Sequence, residues 1–161
     1  MRDLSFIYKT IARTLSMYDR FTPNRFILIL NTGFAESGYT LPPKDGFWQL
    51  EYDTVVDLLT NVLPNMKDKS AYFDLTTFAK HYTQELHDET MLKLDEDSLA
   101  FQIRMVDMKY RTDPLSLPHY SELWQQGKYW KRIYNTIKGA GTIEHFIREV
   151  RNVEITFLER S

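Results

Sequence analysis

Glu36 occupies the position in this sequence that best suits acid–base chemistry. An apolar run, Phe26–Leu30, precedes it and is itself preceded by Thr22 and Pro23, a hydroxyl that can cap a helix and a proline suited to the first helical position. Gly38 is typical of the residue just beyond a helix end, so we expect a buried helix with Glu36 in its last turn. The negative end of the helix dipole and an apolar environment both raise a carboxyl pKa, as a general acid near neutral pH requires. The alternative is a glutamate at a helix end on the surface.

Two further elements follow this helix in a defined order. After the pair Glu36-Ser37, a turn-rich connection leads to Gly46-Phe-Trp-Gln49 and then to a helix that begins near Thr54. A buried helix ending in Glu-Ser, a short loop or hairpin, a Gly-x-x-Gln element and a second helix resemble the lysozyme-like superfamily, in particular its lytic transglycosylase and goose-type lysozyme branch. The sequence departs from that pattern because Phe-Trp replaces the usual Leu-Met, and no proline-containing turn follows.

A second block near the carboxyl end strengthens the resemblance. The string Tyr-Trp-Lys-Arg-x-Tyr-Asn-Thr-x-x-Gly-x-Gly-Thr spans residues 129–142 and contains Tyr134-Asn135. It is similar to a segment of small lysozyme-like proteins encoded by tailed bacteriophages and prophages, and the likeness covers roughly residues 30–150. In lytic transglycosylases the tyrosine hydroxyl of such a pair reaches the catalytic glutamate. Donation to an ionised Glu36 would lower its pKa and oppose the effect of burial, so the net direction stays open.

The resemblance implies a peptidoglycan glycosidase, either a lysozyme or a lytic transglycosylase. Such an enzyme cleaves the β-1,4 bond between N-acetylmuramic acid and N-acetylglucosamine, and Glu36 would be its general acid. A hydrolase would also use a second carboxylate, for which the candidates are Glu51, Asp45 and Asp53. Glu51 is favoured because it shares one side of an extended segment with Gln49, although it could instead cap the next helix or be solvated. Lytic transglycosylases need no second carboxylate, so the two mechanisms remain open.

The same motifs predict the residues that contact substrate. The resemblance implies that Gln49 donates to an N-acetyl or hydroxyl group, although its amide could instead stabilise the loop, and Gly46 would allow backbone and ligand to approach closely. Aromatic faces near it suit stacking on sugar rings, although we expect at least one of them to lie in the core. The predicted substrate-binding residues are Ser37, Tyr39, Gly46, Phe47, Gln49 and Asn135, with Trp48 as a third stacking candidate.

The elements that must position these residues are helical. Apolar residues recur at three- and four-residue steps, and alternating strand patterns are nearly absent. Beyond the buried helix, the predicted helices are 4–18, 54–63, 71–87, 95–110, 120–137 and 142–150, with a break or kink at 88–90. The sequence therefore predicts a mainly α fold with at most a small β-hairpin near residues 39–51, in a single lysozyme-like domain over residues 1–161.

Composition narrows the function classes. The chain has no cysteine, which excludes disulfides and thiolate metal sites, and its net charge of −2 gives no general attraction to nucleic acid or anionic membranes. No apolar run approaches the roughly 18 residues of a membrane span, and the amino terminus lacks a signal-peptide pattern. We expect synthesis in the cytoplasm, delivery to the cell wall by a virion or a holin, as for an endolysin, and no cofactor. Peptidoglycan is the expected partner, with phage virion or tail proteins as possible further ones.

Three rival interpretations compete with the glycosidase. A zinc site would use His81, Glu85 and His87, but their spacing matches no zinc motif, so we expect no metal. A nucleic-acid-binding helical domain would use a basic and aromatic set interleaved near the carboxyl end, which more simply forms a solvated helix face. The third rival is a catalytically inactive virion or assembly protein of lysozyme-like fold. The basic set consists of Lys128, Lys131, Arg132, Lys138, Arg148 and Arg151.

Overall fold

The computed structural model describes residues 3–40, 44–136 and 139–150 of the 161-residue chain. Eight α-helices are found there: α1 Leu4–Met17, α2 Pro23–Glu36, α3 Tyr52–Asp57, α4 Leu75–Phe78, α5 Gln84–Leu92, α6 Glu96–Tyr110, α7 Leu123–Tyr129 and α8 Ile143–Glu149. Shorter 3₁₀ turns occupy Leu63–Asn65, Ser70–Tyr72 and Ala79–His81. The predicted mainly α fold is confirmed, and these ranges contain no strand.

Helix α2 begins and ends where its local signals predict. The Thr22 hydroxyl accepts a hydrogen bond from the Arg25 N–H at 3.1 Å, and Pro23 occupies the first turn. Every residue from Phe26 to Ala35 is buried. Gly38 has a φ of +66° and donates its N–H to the Gly33 and Phe34 carbonyls, which closes the helix in the way a glycine just past a helix end does. Glu36 therefore occupies the last turn, as predicted.

Helix α2 is enclosed because three helices, α1, α6 and α8, pack against it. A charged cluster holds the α1–α2 connection to α6. The Asp107 carboxylate accepts from Arg20 Nε at 2.8 Å and from the Tyr72 hydroxyl, and it forms an ion pair with Arg25 Nε at 3.0 Å. A buried carboxylate needs such partners, since unpaired it would cost several kcal/mol. The cluster fixes α6 beside α2.

The described part of residues 39–51 forms no hairpin, which agrees with the expectation of at most a small one. Residues 44–49 form turns, and Gly46 and Gln49 have φ values of +79° and +52°, which an extended strand does not permit. The segment is held by aromatic packing instead of strand pairing. The Tyr39 ring lies 5.4 Å from Phe47 and 5.8 Å from Trp48, in edge-on contacts.

Two helices widen into π-helical turns. Helix α3 continues as a π turn over Leu58–Val62, and α7 continues as a π turn over Trp130–Asn135. Such turns commonly occur at functional sites. The single helix predicted over 71–87 is wrong: Thr83 accepts a hydrogen bond from the Leu86 N–H and starts α5 there. The break predicted at 88–90 is also wrong, because those residues lie within α5.

The cap of α2 can be tested by replacing Thr22. We expect Thr22→Ala to reduce the free energy of unfolding by about 1 kcal/mol, because the Arg25 N–H loses its acceptor. Thr22→Ser keeps the hydroxyl and is the matched control, with little loss expected. Urea denaturation of the three proteins measures the effect. Equal losses in both variants would show that the hydroxyl does not cap the helix.

Candidate active site

A cleft of about 700 Å³ opens at the carboxyl end of α2. Its walls come from α2, from the turn before α3, from α6 and from the π turn after α7. The described residues that line it are Ala35, Glu36, Gln49, Glu51, Thr54, Lys109, Trp130, Tyr134, Asn135, Thr136, Gly139, Ala140, Gly141 and His145. The three motifs of the sequence thus each contribute a residue to one cavity of a size that binds small ligands.

Glu36 is half-buried in the wall of this cleft. Burial raises the pKa of its carboxyl group from an ordinary 4.5 to about 7, and the positive charge of Lys109 opposes this shift. Its carboxylate accepts no hydrogen bond from any residue in the described ranges. Glu36 is consequently a carboxyl group that retains its proton up to near-neutral pH and faces an open cavity.

Lys109 is a member of the site that the sequence did not single out. Its Nζ donates to the Tyr134 carbonyl at 2.9 Å and lies 4.3 Å from the centre of the Tyr134 ring. Burial lowers the pKa of Lys109, while the carboxylates of Glu36 and Glu51 raise it. In the sequence, Lys109 is only a lysine near the end of a predicted helix. Its spacing along that helix does not show which carboxylates of other segments lie near it.

The three candidates for a second carboxylate are separated by the fold. Glu51 lines the cleft, is exposed, and precedes α3 without a capping hydrogen bond from its side chain. Asp45 instead pairs with His87 at 3.0 Å, and Asp53 is exposed in the first turn of α3. Neither Asp45 nor Asp53 lines the cleft. Glu51 is therefore the candidate that shares the cavity with Glu36, although no extended strand aligns it with Gln49.

The Tyr134 hydroxyl does not donate to Glu36 in this structure. It donates to the Trp48 carbonyl at 2.6 Å, which corrects the contact implied by the Tyr-Asn motif. Burial raises the pKa of Tyr134 well above its ordinary value, and the Glu36 charge adds to the rise. The phenol therefore stays neutral at physiological pH, and it joins the turn before α3 to the π turn.

Gln49 lines the cleft, but its amide nitrogen is used within its own loop. Nε2 donates to the Lys44 carbonyl and to the Gly46 carbonyl, both at 2.9 Å. The amide hydrogens that were predicted to reach a ligand are thus held by the loop. The role as a donor to substrate is corrected, because both hydrogens of the amide are already used.

Four predicted substrate contacts prove to be structural. Tyr39 and Phe47 are fully buried, so neither ring can stack on a sugar, and the Tyr39 hydroxyl donates to the Leu30 carbonyl at 2.7 Å. Ser37 donates its hydroxyl to the Phe47 carbonyl at 2.7 Å. Trp48, the third stacking candidate, is also buried.

Gly46 is close to a side chain, and not to the cavity. A methyl group added at Gly46 would lie 2.2 Å from Gln102 Oε1, and Gly46 does not line the cleft. The prediction that Gly46 admits a ligand is therefore corrected: the missing side chain makes room for Gln102 of α6, at a backbone φ that glycine tolerates.

Asn135 and His145 also line the cleft. Asn135 lines the cleft, and its Oδ1 accepts from Lys131 Nζ at 2.8 Å, so its substrate contact stays a prediction. His145, which the sequence did not indicate, donates from Nε2 to the Ala35 carbonyl at 2.9 Å. This hydrogen bond satisfies a free carbonyl at the end of α2, directly before Glu36.

Several residues of the zinc and nucleic-acid interpretations have protein partners in this structure. The described residues hold no group of three or more side chains suited to a metal ion, and His87 is buried against Tyr82 and Asp45. Two members of the basic set have protein partners: Lys131 binds Asn135, and Arg132 binds Asp113. Lys138 and Arg151 lie outside the described residues. No helix in the described ranges is long and apolar enough to cross a bilayer.

Comparison of the chain with protein-family models, with curated proteins and with solved structures finds no match. The assignment of a function therefore rests on the chemistry of the cleft and on the sequence motifs that border it.

The pKa of Glu36 predicts how stability varies with pH. Because the folded pKa is near 7 and the ordinary value is 4.5, the native state binds more protons between these values than the unfolded state. Wild-type stability should fall as pH rises through this interval, by roughly 1–2 kcal/mol after allowance for the partial exposure of the group.

Glu36→Gln cannot titrate and should lose this dependence. Thermal and urea denaturation of both proteins from acid to alkaline pH measure the difference, and the values at the acid end are the internal reference. A difference between the two proteins that is independent of pH would show that Glu36 ionises at its ordinary value.

Tyr134→Phe separates the structural role of the hydroxyl from the one implied by the motif. We expect a loss of about 1–2 kcal/mol in the free energy of unfolding, because the buried Trp48 carbonyl loses its donor. The carboxyl titration of Glu36, followed by NMR, should keep its midpoint. An unchanged stability with a displaced midpoint would instead place the hydroxyl on Glu36.

Proposed function

We propose that this protein is a peptidoglycan glycosidase that cleaves the β-1,4 bond between N-acetylmuramic acid and N-acetylglucosamine, with Glu36 as its general acid. The observation that carries the proposal is the Glu36 carboxyl group, whose pKa burial raises to about 7 in the wall of an open cleft. Departure of a sugar requires a proton on the glycosidic oxygen, and a carboxyl group that is still protonated near neutrality supplies it.

The cleft provides a surface suited to a hydroxyl-rich polymer. The side chains of Glu51, Thr54 and Asn135 line it with carboxylate, hydroxyl and amide groups. Glu51 and Thr54 come from the start of α3 and Asn135 from the π turn, so two separate segments contribute polar groups to one cavity. Polar groups of this kind fix the orientation of a ligand in a cavity.

The sequence motifs support the same proposal. Glu36 of the Glu-Ser pair, Gln49 of the Gly-x-x-Gln element, and the Tyr134-Asn135 pair all line this one cleft, although they lie far apart in the sequence. Convergence of three motifs on one cavity is what the resemblance to lysozyme-like proteins of bacteriophages implies. Within this proposal, peptidoglycan is the substrate, and a virion or a holin gives the protein access to it.

Glu51 is the group that decides between the two mechanisms of such enzymes. A lysozyme would use it as the second carboxylate, to activate water or to stabilise the positive charge on the sugar. A lytic transglycosylase would instead use the substrate's own 6-hydroxyl and would leave an anhydro end. Both mechanisms need the proton from Glu36, so a variant of Glu36 does not distinguish them.

Release of soluble muropeptides from purified peptidoglycan tests the proposal. We expect wild-type protein to release them with a rate that falls about tenfold per pH unit above pH 7, where Glu36 loses its proton. Glu36→Gln should lower the rate by about 10²–10⁴-fold. Asp53→Asn makes the same change of carboxylate to amide on an exposed residue outside the cleft, and should retain activity.

Mass analysis of the products completes this test. A reducing end together with a large loss in Glu51→Gln identifies a lysozyme, whereas an anhydro end with activity retained in Glu51→Gln identifies a lytic transglycosylase. Equal inactivity of wild type and Glu36→Gln across the pH range would contradict the proposal, and would favour a catalytically inactive assembly protein.

A further inference from the structure

Lys109 is the cationic side chain among the described residues that line the cleft, and two contacts with Tyr134 hold it in place. Its Nζ donates to the Tyr134 carbonyl at 2.9 Å and lies 4.3 Å from the centre of the Tyr134 ring. A lysine on a flexible stem normally samples many conformations, but a hydrogen bond and a cation–π contact to the same residue restrict it. Lys109 is therefore a stationary positive charge.

We propose that Lys109 is a positioning residue of the active site, whose anchored ammonium group stabilises the carboxylate that Glu36 becomes after it donates its proton. This inference rests on the proposed function, because it assigns Lys109 a part in the same proton transfer. It adds a residue to that reaction which belongs to none of the three sequence motifs.

The surroundings of Glu36 leave Lys109 as the charge that acts on it most directly. Lys109 is the one charged residue that contributes to the pKa of Glu36 beside burial, and it lowers that pKa. The phenols of Tyr110 and Tyr134 are buried, and their raised pKa values keep them neutral. His145 directs Nε2–H to the Ala35 carbonyl, and the charge of Glu51 acts on Lys109.

The separation of the two groups matters as much as their attraction. Lys109 and Glu36, both within the described ranges, form no direct ion pair, since Lys109 Nζ is bound to the Tyr134 carbonyl. A contact ion pair would hold Glu36 ionised and remove the proton needed for catalysis. Because the two groups are not in direct contact, burial still keeps the proton on Glu36 near neutral pH. The positive charge of Lys109 nevertheless favours loss of that proton to the substrate.

In the proposed step, the glycosidic oxygen receives both the proton and the electron pair of the broken bond. The O–H bond of Glu36 breaks as its proton moves to the glycosidic oxygen, and the C–O bond breaks with its electron pair going to that oxygen. Glu36 gains a negative charge as the sugar gains a positive one. The charge of Lys109 then stabilises the transition state. It does not stabilise the ground state in the same way, because Glu36 is still neutral there, and an interaction that is stronger in the transition state lowers the barrier.

Lys109→Met removes the charge and keeps the length of the side chain, whereas Lys109→Arg keeps the charge. We expect the Glu36 pKa, measured by carboxyl NMR titration, to rise in Lys109→Met and to stay near the wild-type value in Lys109→Arg. The alkaline limb of the kcat profile for peptidoglycan cleavage should move in the same direction. The plateau rate should fall on the order of tenfold in Lys109→Met, with little change in KM.

Lys128→Met is the matched control, because Lys128 is exposed and lies outside the cleft. It should leave the Glu36 titration and the rate profile unchanged. Circular dichroism and urea denaturation of each variant establish that it is folded, which matters because Lys109 also joins α6 to the π turn. Lys109→Arg serves as the second folded reference, since a guanidinium can also donate to the Tyr134 carbonyl.

The titration separates this inference from the proposed function. If the Glu36 pKa is the same in folded Lys109→Met and in wild type, the inference is overturned, whatever the enzyme does. If Lys109→Met raises only KM and leaves the kcat profile in place, Lys109 binds substrate and the inference is again overturned. A raised pKa in a protein that releases no muropeptides would overturn the proposed function while keeping the electrostatic link between the two residues.

Discussion

The burial of α2 from Phe26 to Ala35 is the constraint on which the site depends. Ten successive residues, Phe26 to Ala35, are buried, so the helix lies within the protein and not on its surface. Its end is therefore the first place where a polar side chain can reach solvent, and Glu36 stands there at the mouth of the cleft. The burial that stabilises the fold is also what raises the pKa of this carboxyl group.

The remainder of the fold keeps α2 enclosed and sets the walls of the cleft at its end. Asp107 gathers two guanidinium groups and a phenol, and so fixes α6, which brings Lys109 to the cleft. On the other side, the aromatic residues after Gly38 seal α2, and the Trp48 indole donates to the Ile29 carbonyl at 2.9 Å. The stability of the fold and the shape of the cleft thus depend on the same contacts.

The sequence predicted what local signals determine and failed where distant contacts decide. The ends of α2 followed from Thr22, Pro23 and Gly38, because capping depends on adjacent residues. Glu36 followed from the same signals. Tyr39 and Phe47 were misassigned to the cleft because an aromatic ring suits a core as well as a sugar, and only packing decides between them. Lys109 was missed because its partners, Tyr134 and Glu36, lie on other elements.

In the π turn over Trp130–Asn135, the number of residues matters as well as their identities. A π turn accommodates more residues per revolution than an α-helix, so each of its residues advances the chain by less than the roughly 100° of an α-helical residue. If the same residues were wound as a regular α-helix, Tyr134 would therefore lie at a different angle around the helix axis. The Tyr134 hydroxyl would leave Trp48, and the carbonyl that holds Lys109 would turn away with it. One wall of the cleft therefore depends on the residue count of a single helical revolution.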